Sequence, residues 1–230
     1  DLDAAELNEF KAFFDKYYKP NNATLVIAGD MDIAKTKTMV EAYFGAIEAG
    51  EDVERVNITE NPIEEKIIAT DYDSNIQLPL TALVYRTPSM KDREAYVLDM
   101  ISSVLTDGKS SRMYKRMVDD EKIALQVLAF ARSQEDYGTY LIGALPLGET
   151  ELSELRDVMD EEILKLQTEL ISEREYQKLQ NKFENRFVNS NSSIQGIAAS
   201  LATYQMLYGD TNLINEEINI YRSITRQEIQ

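Results

Sequence analysis

The tripeptide Gly108-Lys109-Ser110 resembles the end of a phosphate-binding loop, in which backbone N–H groups and a lysine hold nucleotide phosphates. Such a loop needs another glycine five residues before its second one, and that position is Ser103. It must also join a buried strand to a helix, but the residues before Gly108 have helical periodicity. The tripeptide therefore predicts a corner between two helices. Gly108 ends the first helix, and Ser110 or Ser111 caps the second.

Histidine and cysteine, the two residue types most used for zinc binding and nucleophilic catalysis, are absent from all 230 residues. Their absence excludes an ordinary zinc site, a Ser-His-Asp triad, a cysteine nucleophile and any disulfide. Only carboxylates, lysine, tyrosine, serine and threonine remain for chemistry. We therefore expect no catalytic residue and no metal site in this chain.

Two clusters of acidic residues are the remaining candidates for chemistry, Asp119-Asp120-Glu121 and Glu161-Glu162. Adjacent carboxylates could bind a hard cation or act as an acid–base pair, but neither cluster has the alternating spacing of a calcium loop. Charge runs usually lie on solvated helix surfaces. We expect both clusters to be exposed to solvent.

The charge balance limits the possible partners. The net charge is −17 and the isoelectric point is near 4.4, which disfavours binding to nucleic acids and to anionic membrane surfaces. No apolar run reaches the roughly 18 residues of a membrane span, so we expect no membrane insertion. The opening DLDAAELNEF is no signal peptide and looks like the start of a helix, which indicates a piece of a longer protein.

Hydrophobic periodicity predicts the elements that position these residues. The predicted strands are 23–30, 64–72, 78–88, 123–133 and 138–148, the last two forming a hairpin across QEDY. The predicted helices begin at Asp3 with Glu6 as a cap pair, at Asp32, at Asp92, after Ser111, at 152, at Ser172 with Glu175, at 194 and at Thr225 with Glu228.

The two ends of the chain are similar, because each opens a helix with a capping pair. This similarity suggests two copies of one unit. The segment 48–62 is polar, acidic and aperiodic, so we predict that it is a linker.

Several segments together resemble the family of pitrilysin, insulin-degrading enzyme and the mitochondrial processing peptidases. The first is FFDKYYKPNNATLVIAGDMDIAKTKTMVEAYFGAI, residues 13–47, which resembles the segment that closes one family domain. DGKSSRMYKRMVDDEKIALQV resembles the family's Gly-x-Ser-Ser-Arg-Leu helix and the following strand. DYGTYLIGA and ISEREYQKLQNKF resemble the next strand and a Glu-Leu-x-x-x-Lys helix.

This resemblance implies an α+β fold, with a mostly antiparallel sheet and helices packed on one face, as in a processing-peptidase domain. Residues 1–47 would be the closing helix–strand–helix of a preceding homologous domain, and 63–230 a second domain truncated before its last helix and strand. The family binds zinc through His-x-x-Glu-His, which this chain lacks. Zinc is therefore expected in a missing catalytic domain or a partner.

The resemblance also places a substrate cleft beside five residues, Ser111, Arg112, Val118, Leu125 and Gln126. Family members often supply an Arg and a Tyr to this cleft, seven residues apart. The corresponding positions here are Val118 and Leu125, which cannot hydrogen-bond a peptide.

Three hypotheses about the function remain open. The chain is the substrate-cleft-forming C-terminal part of a zinc metallopeptidase, or a non-catalytic subunit that pairs with an active homologue, or an unrelated acidic protein-binding domain. The first two imply a catalytic domain or homologous subunit and a peptide substrate as partners. Exchange of residues 3–30, within one chain or between two as a domain-swapped homodimer, would cover the sheet edge. The resemblance favours a bacterial cell envelope or cytoplasm without deciding between them.

Overall fold

The computed structural model describes residues 4–56 and 58–230. The chain forms two compact units. One consists of the described part of residues 1–57 with 188–215, and the other of 58–187 with 216–230. The boundary near residue 57 falls inside the segment predicted as a linker. That residues 1–47 belong to a preceding domain stays a prediction.

The described residues form eight α-helices and two wider π-helical segments, one of which directly follows α6. The α-helices are α1 (Leu7–Tyr17), α2 (Ile33–Phe44), α3 (Arg93–Thr106), α4 (Leu152–Thr168), α5 (Glu173–Ser190), α6 (Ile194–Thr203), α7 (Leu213–Ser223) and α8 (Arg226–Ile229). The π-helical segments are Tyr114–Asp120 and Tyr204–Tyr208.

Side-chain caps begin several of these helices where the sequence predicts them. The Asp32 carboxylate accepts a hydrogen bond from the Lys35 N–H at 2.9 Å, and a capping box of Thr225 and Glu228 opens α8. Glu6 opens α1 with Glu9, while the predicted cap Asp3 lies outside the described residues. Among the described residues no helix is both long and apolar enough to cross a membrane.

Within the described residues the sheet has three antiparallel strands, β1 (Thr81–Thr87), β2 (Ala124–Arg132) and β3 (Gly138–Pro146). Their order is β1-β3-β2, so β3 is central and the other two strands are edges. The predicted hairpin of β2 and β3 is confirmed. The predicted strand at 78–88 is present as β1.

Helices cover one face of this sheet, which confirms the predicted α+β fold. Strand β3 turns Ile142 and Ala144 toward the helices, where both are buried. Met100 of α3 and Leu155 and Met159 of α4 are fully buried in the same hydrophobic cluster. Burying side chains of this size supplies roughly 1.5–3 kcal/mol each and holds α3 and α4 on the sheet.

Two predicted strands, 23–30 and 64–72, are not strands in the structure. Their apolar side chains are exposed, with Leu25 at 59% and Ile67 at 79%. A strand forms only where a neighbouring strand accepts and donates its backbone hydrogen bonds, and the described residues supply no such neighbour here. The prediction that residues 23–30 join this sheet within one chain is therefore wrong. Exchange between two chains stays a prediction.

Candidate functional site

The corner after α3 is built around Gly108. This residue has φ +83°, a left-handed conformation that glycine adopts at low cost and that ends the helix. The Ser111 hydroxyl donates to the Gly108 carbonyl oxygen at 2.7 Å, and the Ser111 N–H donates to the same oxygen at 3.0 Å. Ser111 is 2% exposed. Its hydroxyl therefore closes the corner from inside and does not face a ligand.

Arg112 fixes this corner to α5. Its guanidinium donates to both carboxylate oxygens of Glu175, at 2.9 and 3.3 Å. Glu175 also accepts hydrogen bonds from the N–H and hydroxyl of Ser172, as the predicted capping box requires. The bond from Arg112, helped by those from Ser172, lowers the pKa of Glu175 to about 2. Arg112 is thus engaged in holding two helices together.

Val118 lies in the π-helical segment Tyr114–Asp120, where it is half-buried against the hydrophobic core. The preceding residue, Met117, is fully buried. Val118 therefore packs against the edge of the core and is partly covered.

Arg116, in the same segment, binds three carboxylates. It donates to Glu121 at 2.8 Å, to Glu161 at 2.7 Å and to Glu162 at 2.8 Å, and Lys165 also donates to Glu162 at 2.7 Å. Burial alone would raise the pKa of Glu162, but the bonds from Lys165 and Arg116 lower it overall. The expectation that both acidic clusters are simply solvated is wrong for Glu162, which is 5% exposed. Glu161 and Glu162 therefore hold the Arg116 guanidinium in place.

Leu125 is the extra residue of a β-bulge at the start of β2. Ala124 pairs with Pro146 and Gln126 pairs with Leu145, so Leu125 has no partner of its own. The bulge breaks the alternation of β2, so that Leu125 and Gln126 are both exposed. Leu125 retains half of its accessible surface, 51%. Of the five predicted cleft residues, these two face solvent together.

The face of the sheet opposite the helices carries an apolar stripe. Val84, Leu141 and Phe130 lie side by side across β1, β3 and β2, since Val84 and Phe130 both pair with Leu141. Val84 is 59% exposed and Phe130 is 48% exposed. Gln126 continues this face along β2, because alternate residues of a strand point the same way. Sequence reasoning missed the stripe, although nearly unbroken apolar strands such as LPLTALVY signal that both faces are apolar.

A cavity of about 510 Å³ opens along the free edge of β2, between α3 and α5. Asp99 lies on its wall and accepts a hydrogen bond from the Tyr221 hydroxyl at 2.9 Å. Burial raises the pKa of Asp99, although the bond from Tyr221 partly opposes this. Burial and the charge of Asp99 also raise the pKa of Tyr221. The hydrogen bond between Tyr221 and Asp99 ties α7 to α3.

The residues of this chain do not fit a zinc ion. Zinc sites use histidine, cysteine and a few carboxylates, and the sequence has neither histidine nor cysteine. In the part of the chain that the structure describes, no group of three or more carboxylates is placed to hold a metal. No reaction step through zinc can be assigned to these residues.

Comparison with known proteins gives relatives that are zinc proteases by name. The chain is 23% identical over 206 residues to the zinc protease PqqE of Helicobacter pylori, covering 89% of this chain and 46% of the relative. It is 21% identical over 222 residues to the uncharacterized zinc protease YmxG of Bacillus subtilis, covering 96% and 53%. The chain therefore spans about half the length of these curated relatives.

Solved structures share the fold. The crystal structure of a protease from Helicobacter pylori superposes with a TM-score of 0.81 at 21% identity, covering 99% of this chain and 55% of that one. The family model described as the peptidase M16 inactive domain matches residues 4–183. The chain therefore belongs to the peptidase M16 inactive-domain family.

Proposed function

We propose that this chain is the non-zinc-binding half of a larger zinc metallopeptidase. In this proposal residues 4–47 complete the packing of a preceding zinc-binding domain, and the sheet of residues 63–230 forms one wall of the peptide cleft. Family membership excludes the third hypothesis, an unrelated acidic binding domain. The half-length coverage of relatives named zinc proteases supports the existence of a second half.

The exposed apolar surface of residues 4–47 carries this proposal. Helix α1 has a strongly apolar side, yet neither α1 nor α2 has a buried residue. Phe10 is 50% exposed, Phe14 is 57% exposed and Leu25 is 59% exposed. Soluble proteins rarely leave a contiguous apolar surface of this kind uncovered, and such surfaces mark interfaces. The family resemblance implies a preceding zinc-binding domain, and in this proposal that domain covers the apolar surface.

The outer sheet face is the second part of the proposal. Val84, Leu141 and Phe130 form an apolar centre, and Gln126 adds an amide at one end that can hydrogen-bond a peptide main chain. Apolar surface with a few polar groups is the usual lining of a binding site. Phe130→Ser in the full-length protein is expected to raise KM for peptide hydrolysis and to leave zinc content unchanged. An unchanged KM would count against the face as a cleft wall.

A pair of substitutions tests the docking of residues 4–47. Phe10→Ser with Phe14→Ser is expected to change the unfolding free energy of this chain by less than about 0.5 kcal/mol, because both side chains are already exposed. In the full-length protein the same change is expected to cost about 3–6 kcal/mol, since two buried phenylalanines are lost. Urea unfolding of both proteins measures the difference.

Phe183→Ala is the matched control for this experiment. Phe183 is 4% exposed, so its loss is expected to destabilise this chain and the full-length protein alike by about 3–5 kcal/mol. If Phe10→Ser with Phe14→Ser is equally harmless in both proteins, residues 4–47 do not pack on another domain.

The second candidate is a non-catalytic subunit that pairs with an active homologue. One observation favours it. Val118 and Leu125 are apolar at the positions where the family resemblance leads us to expect an Arg and a Tyr, and Val118 packs against the edge of the core. The sequence upstream of Asp1 separates the two candidates. A His-x-x-Glu-His motif with one bound zinc per full-length chain supports the peptidase, and its absence supports the silent subunit.

A further inference from the structure

Helix α5 carries a row of four cations at every fourth position, namely Arg174, Lys178, Lys182 and Arg186. Four residues of an α-helix rise about 6.0 Å, so these side chains follow one another along about 18 Å of one helix face. The buried residues of α5 are Leu179 and Phe183, each one position after a lysine of the row. Arg174, Lys178 and Arg186 are exposed and Lys182 is half-buried, so the row lies at the surface of α5.

Two adjoining cavities run along this row. The first, about 860 Å³, lies between α5 and the corner after α3 and is lined by Arg174, Lys178 and Lys182. The second is the cavity of about 510 Å³ at the edge of β2, lined by Lys182 and Arg186. Lys182 and Asp107 line both, so the two cavities adjoin at this ion pair, and together they are called the cleft below. The Gly108-Lys109-Ser110 corner borders the first cavity.

The charge balance of the cleft differs from that of the whole chain. Its lining carries the four cations and three carboxylates, Asp99, Asp107 and Glu173. The chain as a whole has 24 Lys and Arg against 41 Asp and Glu. Cations are thus in excess here although the protein is strongly acidic.

The carboxylates of the cleft already have partners. Asp99 accepts from the Tyr221 hydroxyl, Asp107 pairs with Lys182, and Glu173 lies 3.4 Å from Arg226.

Two of the cations, Lys178 and Lys182, have contacts that a ligand can replace, whereas Arg186 interacts electrostatically with Asp99. Lys178 donates to the hydroxyl of Ser110 at 2.6 Å, which is a neutral partner. The Lys182–Asp107 pair is half-exposed, with 34% and 58% of the two side chains accessible, so exchanging Asp107 for another carboxylate costs little.

We propose that this cleft binds an extended peptide with acidic side chains at alternate positions. Alternate residues of an extended strand lie about 6.6–6.8 Å apart, close to the 6.0 Å between successive cations of α5. The free edge of β2 lines the same cleft over residues 127–131 and offers main-chain hydrogen bonds to such a peptide. A nucleic acid would meet the same cations, but the net charge of −17 repels a long polyanion. The site lies wholly on the second unit and does not depend on the proposed function.

The test uses fluorescence anisotropy with the 230-residue chain and a labelled peptide in which glutamate alternates with serine. We expect saturable binding that weakens as NaCl rises, because salt screens the ion pairs. Lys178→Gln with Lys182→Gln is expected to raise Kd about tenfold, as expected for the loss of two partly exposed ion pairs. Lys35→Gln with Lys37→Gln on the exposed surface of α2 changes the net charge equally and is expected to leave Kd unchanged.

Three further probes can overturn the proposal. Any binding of a peptide of alternating lysine and serine to this acidic chain must not weaken in Lys178→Gln with Lys182→Gln, and an equal loss of affinity for both peptides refutes a site for acidic ligands. A peptide with the same glutamates in one block is expected to bind less tightly, and equal Kd values refute the spacing argument. Tighter binding of a single-stranded oligonucleotide would assign the cleft to nucleic acid.

Discussion

The contact between Arg112 and Glu175 allows a sharp prediction about stability. We consider Arg112→Met and Glu175→Gln, made singly and together. Glutamine keeps the capping box with Ser172, so the substitution removes the charge and preserves the cap. The double-mutant cycle then isolates the energy of the Arg112–Glu175 pair.

The expected coupling energy at pH 7 is about 1 kcal/mol. The lowered pKa of Glu175 corresponds to about 3 kcal/mol in total, but part of that comes from Ser172. Solvent screens the remaining interaction between Arg112 and Glu175, since 19% of the Arg112 side chain and 35% of the Glu175 side chain are exposed. Exposed pairs measure about 0.2–1 kcal/mol, and the bidentate geometry places this one at the upper end.

The coupling energy depends on pH with a definite sign. The pKa of Glu175 is lowered on folding, from 4.5 to about 2. The stabilisation is therefore complete above pH 4.5 and is lost as the pH falls toward 2, when Glu175 becomes protonated in the folded state as well. Urea unfolding of the four proteins at pH 7 and at several values between 5 and 2 measures this loss.

The pair Arg226–Glu173 is the control for this cycle. Its closest atoms are 3.4 Å apart and the Glu173 side chain is 73% exposed, so its coupling is expected to be below about 0.3 kcal/mol. Equal coupling energies for the two pairs, or an Arg112–Glu175 coupling that does not fall with pH, would refute the reasoning.

Three other substitutions have expected effects on the unfolding free energy, each measured by urea titration. Gly108→Ala is expected to cost about 1–2 kcal/mol through its left-handed backbone alone, because the added Cβ meets no atom within 4 Å; a neutral result would mean that the corner relaxes. Arg116→Leu is expected to cost about 2–3 kcal/mol by leaving Glu162 buried with Lys165 as its remaining partner, and Glu162→Gln in the same chain should recover part of the loss. Leu155 is 0% exposed, so Leu155→Ala is expected to cost about 2–5 kcal/mol. Leu25 is exposed, so Leu25→Ala is expected to cost less than about 0.5 kcal/mol. Similar values for the two variants would mean that Leu25 is buried in solution.

Features that depend on nearby residues were predictable from the sequence. The Ser172–Glu175 and Thr225–Glu228 capping boxes, the end of α3 near Gly108, and the β2–β3 hairpin all occur where the local pattern indicates them. Each depends on residues only a few positions apart, so that a single chain segment carries the whole signal. The absence of histidine and cysteine from the sequence likewise excludes an ordinary zinc site.

Features that depend on distant partners needed the structure. Residues 23–30 have the composition of a buried strand, but composition cannot state whether a neighbouring strand is present, and here the segment is unpaired. The carboxylate partner of Arg112 lies on α5 and two of the three partners of Arg116 lie on α4, far along the chain.

The candidate sites show the same division. The five predicted cleft residues follow one another closely in sequence, yet only Leu125 and Gln126 reach solvent side by side, because a bulge in the pairing of β2 with β3 turns them outward. The sequence shows the four-residue spacing of the α5 cations. The cleft that they line exists only because α3 and β2 pack beside that helix. The sequence alone determined the local elements and the chemistry that is excluded. Tertiary packing decided which side chains meet, because contacts between distant segments are set by the whole fold.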